Sequence, residues 1–493
     1  MRFKKRSLIE GVDIKYHKFR GSEYAKDFFE NRFKNGKVLV YFDPDIDGLL
    51  AGYFACKSLS LRGIDFTWYI NSNREHGFFL PLEKVKGMNL FCVDFLMDYN
   101  TIKMLVDAGC NVFSLDHHDN GDNFIEYENN GKKGVVINNQ YGFEEETGRY
   151  LSGAGVVFES LIDYFGEEFN TRENRALVGV TLLSDIRNIE NINARLYLQE
   201  LYTHPYKGYI RYLIDGTIGN IDYSFGVPRL DRNYVDFILS PVINSCLRFN
   251  RQDEAVEFIL GSGHISKKYH KAQKELVASL QENARVVKMS NLNVVIVDQS
   301  KFIGTGMEGY LSNFIGLLAS QYLDGKRSVI SYLVSSEKVG RASFRGRANG
   351  LNYLGELVKL MNGVGHGSAF GIRGLSPSKG LFLKANDMCA KIESEEDFST
   401  KYIEARNMSV IVNGRGYDLG VENIYCLSQH RKYIKYTGDN VIVKRSSSKF
   451  KEYGLDGVTV MSFDEDLDPR KDLILPILER GVLCFYLNRK SED

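Results

Sequence analysis

Three aspartates alternate directly after a short apolar run. Residues 37–42 (KVLVYF) predict a buried strand, and Asp43, Asp45 and Asp47 follow it within the sequence DPDIDG. Carboxylates crowded at a strand end repel one another unless a cation holds them, and hard divalent ions take oxygen ligands. A surface turn or a calcium loop is the alternative, but an EF-hand loop needs a later glutamate that residues 49–57 do not supply. The pattern therefore favours a divalent-metal site.

Further acidic and imidazole side chains follow predicted strands or helices in the same half of the chain. Asp94 follows the run 90–93, and Asp116, His117 and His118 follow the run 111–115. Asp185 ends an apolar helix. Each alone is typical of a helix cap or a solvated turn. Together, carboxylates with one or two imidazoles suit Mn²⁺ or Mg²⁺ better than zinc. They are enough for two ions about 3.5–4 Å apart, the arrangement that promotes phosphoester displacement.

Alternating strands and helices must bring these side chains together. The predicted strands are residues 37–42, 66–70, 90–93, 111–115 and 135–138, and the predicted helices are 49–61, 101–108, 153–165 and 172–183. Strands and helices that alternate at this spacing predict a mostly parallel α/β sheet. Ligands of such sheets lie at the carboxyl ends of the strands, where the aspartates stand.

The composition restricts the kind of protein. The 493 residues include 63 Lys and Arg against 63 Asp and Glu, and 43% are hydrophobic. This balance argues against a uniformly basic nucleic-acid wrapper and against an acidic disordered protein, but it permits a local charged patch. The length predicts about two to four domains.

The cysteines and the hydropathy pattern predict a cytoplasmic protein. Seven cysteines are scattered without a C-x-x-C pair, which indicates neither a disulfide framework nor a structural zinc site. The basic N-terminal segment is not followed by the apolar core of a signal peptide. Because no run of about 18 apolar residues is present, no membrane span is expected.

The signals described above resemble, in order and type, the four motifs of the DHH phosphoesterase superfamily. The resemblance implies that Asp116 and His118 are catalytic: His118 faces the substrate phosphate, and Asp116 orients an imidazole. It also implies two divalent cations, Mn²⁺ or Mg²⁺. The implied ligands are Asp43, Asp45 and Asp94 for one ion, and Asp47, Asp94, His117 and Asp185 for the other.

Within the superfamily, the D-x-D-x-D-G form is similar to the RecJ branch of single-strand exonucleases. Pyrophosphatases, oligoribonucleases and cyclic-dinucleotide phosphodiesterases usually carry a histidine where Tyr41 stands here. The segment 69–78, which contains Arg74, resembles a substrate loop of the branch without its proline. Residues 151–157 resemble the helix opening before the fourth motif, and 309–320 resemble the opening of a second lobe.

That second lobe resembles the DHH-associated domain. Residues 363–371 (GVGHGSAFG) resemble its G-G-G-H-x-x-A-A-G motif, and the segment 343–345 (SFR) resembles its S-x-R phosphate contact. Glycines let the backbone approach an anion, and arginine binds phosphate through two hydrogen bonds. The implied substrate-binding residues are Arg74, Ser343, Arg345, Gly365 and His366.

The last region is predicted to be rich in β-structure. Residues 430–454 hold seven Lys and Arg against two acidic residues, interleaved with aromatic side chains. This pattern is typical of a platform for single-stranded nucleic acid such as an OB fold, formed here by Arg431, Lys432, Tyr433 and Lys435. An exposed hairpin with solvated charges fits the pattern equally well.

The predicted architecture is α/β. A mostly parallel DHH domain is joined by a long helix, expected at 267–287, to a smaller α/β DHH-associated domain, and a β-rich C-terminal domain follows. The predicted bounds are 1–240 for the catalytic domain, 241–290 for a helical connector, 291–398 for the substrate-binding domain and 399–493 for the C-terminal domain.

The resemblance favours a 5′-to-3′ exonuclease that degrades single-stranded DNA to mononucleotides, with DNA preferred over RNA and no membrane partner. Hydrolysis of short RNA or of cyclic dinucleotides by a member of the same superfamily is the alternative. A non-catalytic nucleic-acid-binding relative is a third. The diverged motif edges are compatible with a phage-encoded protein that acts in the host cytoplasm.

Overall fold

The structure is a computed structural model of the chain. The residues that it describes are 13–16, 19–70, 77–118, 124–139, 150–185, 191–218, 234–323, 327–334, 339–346, 351–361, 363–366, 369–372, 378–395, 403–405, 434–436, 438–446, 451–455, 458–462, 467–469, 471, 473–479 and 482–488.

The first sheet has six strands in the order β2-β1-β3-β4-β6-β5. They are β1 Val38–Phe42, β2 Phe66–Ile70, β3 Asn89–Val93, β4 Asn111–Asp116, β5 Phe124–Asn129 and β6 Lys132–Asn138. All neighbours are parallel except β5 and β6. Every residue of β1, β3 and β4 is buried, as expected for a parallel sheet covered on both faces. The mostly parallel α/β sheet predicted from the sequence is confirmed.

Strand β5 was missed by the sequence prediction. It forms a hairpin with β6, and the turn residues Asn130 and Gly131 have φ angles of 49° and 74°. A tight hairpin turn of type I′ requires positive φ at both central residues, which Asn and Gly adopt at little cost. The Asn-Gly pair was therefore a usable signal for this hairpin.

Helices cover the first sheet and complete this part of the chain. They are α1 Tyr24–Asp27, α2 Ile46–Leu61, α3 Leu82–Val85, α4 Tyr99–Asp107, α5 Gly153–Phe165, α6 Arg172–Ser184, α7 Ile192–Thr203, α8 Gly208–Ile218, α9 Ser240–Arg248 and α10 Gln252–Ile259. Side-chain oxygens cap the starts of α4, α5 and α6, from Asp98, Ser152 and Thr171. Helices α2 and α5 pack together, and both start beside the candidate site.

The second sheet is mixed, with strand order β11-β12-β10-β9-β8-β7. Its strands are β7 Ala284–Lys288, β8 Leu292–Asp298, β9 Ser328–Val334, β10 Val339–Arg345, β11 Gly363–His366 and β12 Ala369–Ile372. Its helices are α11 Lys268–Glu282, α12 Leu311–Gln321, α13 Leu351–Leu360 and α14 Lys379–Glu395. This confirms the smaller α/β domain.

The long helix predicted at 267–287 ends earlier. Helix α11 stops at Glu282, and Ala284–Lys288 form strand β7. This strand pairs antiparallel with β8, opposing Val286 to Val295 and Val287 to Val294. β-Branched side chains lose rotamer freedom in a helix and pack well on a sheet, so the pairing with β8 outweighs the helical periodicity.

The C-terminal region forms a seven-stranded sheet in the order β13-β14-β18-β19-β17-β16-β15. Its strands are β13 Ile403–Ala405, β14 Ile434–Tyr436, β15 Val441–Ser446, β16 Lys451–Leu455, β17 Val458–Ser462, β18 Leu473–Glu479 and β19 Val482–Asn488. Its neighbours are antiparallel except for the pairs β13–β14 and β17–β19. The β-rich character predicted for this region is confirmed.

The chain divides into two compact units. The first unit consists of residues 1–247, 251–265 and 402–493, and the second of residues 248–250 and 266–401. The finer domain bounds predicted from the sequence stay predictions. Among the described residues, no helix combines the length and the apolar character needed to cross a membrane.

Candidate metal centre

The predicted site residues of the first unit converge at the carboxyl edge of the first sheet. Asp43 directly follows β1, Asp94 follows β3, and the DHH segment 116–118 begins with the last residue of β4. Asp45 is the N-cap residue of α2, and Asp185 is the C-cap residue of α6. Parallel strands place their carboxyl ends at one edge, so residues far apart in sequence become neighbours there.

Asp47 is held by the start of a second helix. It lies in the first turn of α2, and its two carboxylate oxygens accept hydrogen bonds from Gly153 N at 2.7 Å and Ala154 N at 3.0 Å. These amides open α5, where the helix dipole favours a negative charge. Asp45 plays a different part, because its Oδ1 caps α2 by accepting from Gly48 N at 2.9 Å.

Asp94 has a strained backbone conformation and a buried carboxylate oxygen that accepts no hydrogen bond from any described residue. Its φ is 62°, in the left-handed region that residues other than glycine seldom occupy, and it is 2% exposed. Its Oδ1 makes no hydrogen bond to any described residue. Such strain and such an orphaned buried oxygen are typical of functional sites.

His117 is the residue common to both candidate metal-binding groups. Its Nε2 lies 3.1 Å from Asp94 Oδ1 and 3.9 Å from Asp47 Oδ2, and its Nδ1 lies 3.7 Å from Asp185 Oδ2. The two groups are Asp94, His117 and His118, and Asp47, His117 and Asp185, each with its ligand atoms within 4.8 Å of one another. Asp43 is buried beside these groups without being a member of either, and the same is true of the half-buried Asp45.

The DHH turn is tied together by the Asp116 carboxylate. Its Oδ1 accepts from His117 N at 2.7 Å and from His118 N at 3.1 Å, and it lies 2.8 Å from His118 Nδ1. Burial lowers the pKa of His118, but the charge of Asp116 and its hydrogen bond, with Asp43 and Asp185 nearby, raise that pKa to about 9. The side chain of Asn138, at the end of β6, donates to the His118 carbonyl at 2.5 Å.

The electrostatics of the cluster fit divalent cations. Burial, and then repulsion by the other aspartates, raises the pKa of Asp47 and of Asp94 well above the ordinary value. A bound cation would reverse this, because it stabilises the charged carboxylates. Two ligand atoms each about 2.1 Å from an ion lie at most about 4.2 Å apart, and the Asp94 and Asp47 oxygens are within that range of His117 Nε2. The hard oxygens with one imidazole therefore fit Mn²⁺ or Mg²⁺.

Because the buried carboxylates repel one another, Asp94→Asn is expected to stabilise the metal-free chain but to weaken its binding of Mn²⁺. Asp94→Asn removes one of several buried like charges. In chelator this is expected to raise the free energy of unfolding by about 1 kcal/mol, and therefore to raise Tm by about 2 °C. It should also abolish the further rise in Tm that Mn²⁺ gives the wild-type chain. Differential scanning calorimetry with and without Mn²⁺ measures both effects.

Asp98→Asn is the matched control, because the exposed Asp98 caps α4 and asparagine caps equally well. It should leave Tm unchanged in both conditions. A fall in Tm for Asp94→Asn in chelator is the result that contradicts the predicted repulsion.

The second unit brings two predicted substrate residues together. Arg345 Nη1 donates to Ser343 Oγ at 3.0 Å, and both residues lie in β10. A Cβ on Gly316 of α12 would lie 2.6 Å from Arg345 Nη2, so this glycine leaves room for the guanidinium. In the strand register, Ala369 of β12 lies opposite both Arg345 and His366.

Some of the predicted residues cannot be placed. Arg74, Arg431, Lys432 and Tyr433 lie outside the described residues. For Gly365, His366 and Lys435 the described part is the backbone, in β11 and β14.

Four residues that hydrogen-bond the candidate site residues received no role in the sequence analysis. Asn138 is the last residue of the predicted strand 135–138. Ser152 and Gly153 lie in the segment 151–157 noted for its resemblance, and Gly153 is also the first residue of the predicted helix 153–165. Thr181 stands one helical turn before Asp185. For Thr181, the available signal was that a polar residue lies one helical turn from a candidate metal ligand.

No protein-family model and no curated protein matches the sequence. Solved structures do match. RecJ from Thermus thermophilus in complex with Mn²⁺ is 16% identical with a TM-score of 0.61, over 99% of this chain and 74% of that one. The same protein in complex with Mg²⁺ is 15% identical with a TM-score of 0.55, over 99% and 72%. An exonuclease RecJ bound to manganese is 19% identical with a TM-score of 0.52, over 79% and 96%.

At these identities the likeness establishes the fold. It extends over almost the whole chain, as the resemblance of the motifs to the RecJ branch of the DHH superfamily predicted. The chain therefore has the RecJ fold, with the DHH-type aspartates and histidines at the carboxyl edge of its parallel sheet.

Proposed function

We propose that this chain is a metal-dependent phosphodiesterase that degrades single-stranded DNA from its 5′ end to mononucleotides. The observation that carries the proposal is the convergence of Asp47, Asp94, His117 and Asp185 in one buried cluster. The RecJ fold supports it, since the matched structures are of RecJ bound to Mn²⁺ or Mg²⁺.

The proposed cofactors are two divalent cations, with Mn²⁺ preferred. Asp43, Asp45 and Asp94 would hold one, and Asp47, Asp94, His117 and Asp185 the other. Such ions polarise a phosphodiester and lower the pKa of an attacking water. Asp94 Oδ1, which lies 3.1 Å from His117 Nε2, and Asp116 Oδ2 accept no hydrogen bond from described residues, and this supports a cationic occupant of the cluster.

The protein's own groups orient the reacting parts. Asp116 holds the backbone of the DHH turn and the His118 ring through one oxygen, so His118 keeps one orientation. We propose that His118 contacts the phosphate that is attacked. The α5 amides hold Asp47 in place, which keeps the carboxylate cluster preorganised at low reorganisation cost.

We further propose that Ser343 and Arg345 bind a substrate phosphate, together with Gly365 and His366 of the same unit. Arg74 is proposed separately as a substrate-binding residue. The Ser343 hydroxyl orients the guanidinium of Arg345, and arginine can then give two parallel hydrogen bonds to one phosphate. We also propose a platform for longer strands, because basic and aromatic side chains are interleaved in residues 430–454. Its residues would be Arg431, Lys432, Tyr433 and Lys435.

Arg345→Lys is expected to raise KM for a 5′-phosphorylated oligonucleotide about tenfold with kcat nearly unchanged. Lysine keeps the charge but loses the planar pair of donors, and a charge-assisted hydrogen bond is worth about 1.5–3 kcal/mol. Steady-state kinetics on a short single strand measure the change. Arg285→Lys, at an exposed position in β7 of the same unit, should leave both constants unchanged. An equal effect of the two substitutions would count against the phosphate contact.

A substrate panel tests the proposed function. The substrates are single-stranded DNA, duplex DNA, short RNA and a cyclic dinucleotide, with the linear substrates 5′-labelled, each incubated with Mn²⁺. We expect the single-stranded DNA to release labelled mononucleotide fastest. Hydrolysis of dinucleotides alone would overturn the assignment in favour of the short-substrate alternative, and binding without hydrolysis of any substrate would favour a non-catalytic relative.

A further inference from the structure

The start of α5 is a junction between helices that carry two different candidate ligands. Its first amides hold Asp47, which lies on α2. Its N-cap residue, Ser152, is fully buried and donates a hydrogen bond from Oγ to Thr181 Oγ1 at 2.8 Å. Thr181 lies on α6, so this one hydroxyl pair joins α5 to α6 beside the site.

Thr181 lies one helical turn before Asp185, at the end of α6. The Thr181 carbonyl accepts from Asp185 N at 3.0 Å and from Ser184 Oγ at 3.2 Å, so it closes the turn that ends α6. The Thr181 hydroxyl donates to Val178 O at 2.9 Å, within the same helix. Because that bond already satisfies the hydroxyl proton, the contact with Ser152 is an additional bond that links the two helices.

The two linked carboxylates repel each other. Asp47 and Asp185 belong to the group completed by His117, and their ligand atoms lie within 4.8 Å of each other. Like charges in a buried site tend to separate unless the surrounding structure opposes it. A hydrogen bond that ties the start of α5 to the last turn of α6 opposes this separation.

We infer that Ser152 and Thr181 are positioning residues that set the spacing between Asp47 and Asp185, and thereby the affinity of the cluster for a divalent cation. The inference rests on the proposed function, since it assumes that these carboxylates hold a cation. Both are proposed to act through Asp47 and Asp185 rather than as ligands of the ion. Hydrogen-bond partners that orient metal ligands commonly account for 10–100-fold in metal affinity.

The test compares Thr181→Val with Thr181→Ser in the full chain, stripped of metal by chelator and titrated calorimetrically with Mn²⁺. Valine keeps the shape and removes the hydroxyl, whereas serine keeps the hydroxyl. We expect Thr181→Val to raise the Kd for Mn²⁺ about tenfold and Thr181→Ser to retain wild-type affinity. Ser152→Ala removes the other partner, and with it the α5 cap and a hydrogen bond to Asp47, so it is expected to raise the Kd at least as much as Thr181→Val does.

Thr217→Val separates positioning from general damage. Thr217 is a buried threonine of α8 that likewise donates to a carbonyl of its own helix, Leu213 O. Its replacement should lower Tm in chelator about as much as Thr181→Val does but leave Mn²⁺ affinity unchanged. If Thr181→Val and Ser152→Ala bind Mn²⁺ as tightly as wild type, the inference is wrong while the proposed function stands. If the wild-type chain binds no Mn²⁺, the proposed function fails and takes the inference with it.

Discussion

Gly153→Ala is expected to reduce Mn²⁺-dependent hydrolysis by about 100-fold or more. A Cβ at position 153 would lie 1.9 Å from Asp94 Oδ1 and 2.4 Å from its Cγ, closer than non-bonded atoms approach. Asp94 cannot easily move aside as a whole, because its backbone is strained and its amide is bonded to Leu115 O at 2.9 Å. The carboxylate itself must therefore shift by about 1 Å, which is enough to cost about 100-fold in rate.

The measurement is single-turnover hydrolysis of a short 5′-labelled strand at saturating Mn²⁺. Gly380→Ala serves as the matched control, since Gly380 lies in α14 and a Cβ there meets nothing within 4 Å. It should behave as wild type. Wild-type hydrolysis by Gly153→Ala would mean that the position of the Asp94 carboxylate is unimportant for the reaction.

His117→Ala is expected to have a larger effect on the same assay. His117 is the imidazole proposed to hold an ion together with Asp47, Asp94 and Asp185, so its loss removes a direct ligand from that ion. Outer hydrogen-bond partners of metal ligands alone account for 10–100-fold, so loss of a ligand itself should exceed about 100-fold. The reduced rate should persist at high substrate concentration, because the defect lies in the metal cluster rather than in phosphate binding.

His264→Ala is the control for this substitution, because His264 is exposed, lies in the same unit and belongs to neither candidate metal-binding group. Its rate should equal that of wild type. Activity that survives His117→Ala would remove the basis for placing the metal centre at this sheet edge.

The parallel sheet could be predicted from the sequence because its strands are short, mostly apolar and largely separated by helices. The predicted strand 66–70 and helix 153–165 agree with the observed bounds Phe66–Ile70 and Gly153–Phe165. Two local errors have different causes. The Asn130-Gly131 hairpin signal was overlooked, whereas the end of the long helix depends on pairing between Val287 and Val294, which no local pattern reports.

The side chains that lie at the sheet edge were predictable because they follow strands directly, as Asp43 and Asp94 do. What holds them in place was not. The contact between Gly153 and Asp94 joins residues 59 positions apart, and the bond between Ser152 and Thr181 joins residues 29 apart. Such contacts depend on how α5 and α6 pack, which is a tertiary property. The ligand assignments themselves stay predictions.

Equilibrium dialysis of the metal-stripped chain against Mn²⁺ tests the central claim most directly. We predict two bound ions per wild-type chain at saturation, and weaker and incomplete binding in His117→Ala, because His117 lies 3.1 Å from Asp94 and 3.7 Å from Asp185. His264→Ala should bind as wild type does. Absence of saturable Mn²⁺ binding by the wild-type chain, or undiminished binding by His117→Ala, would contradict the account.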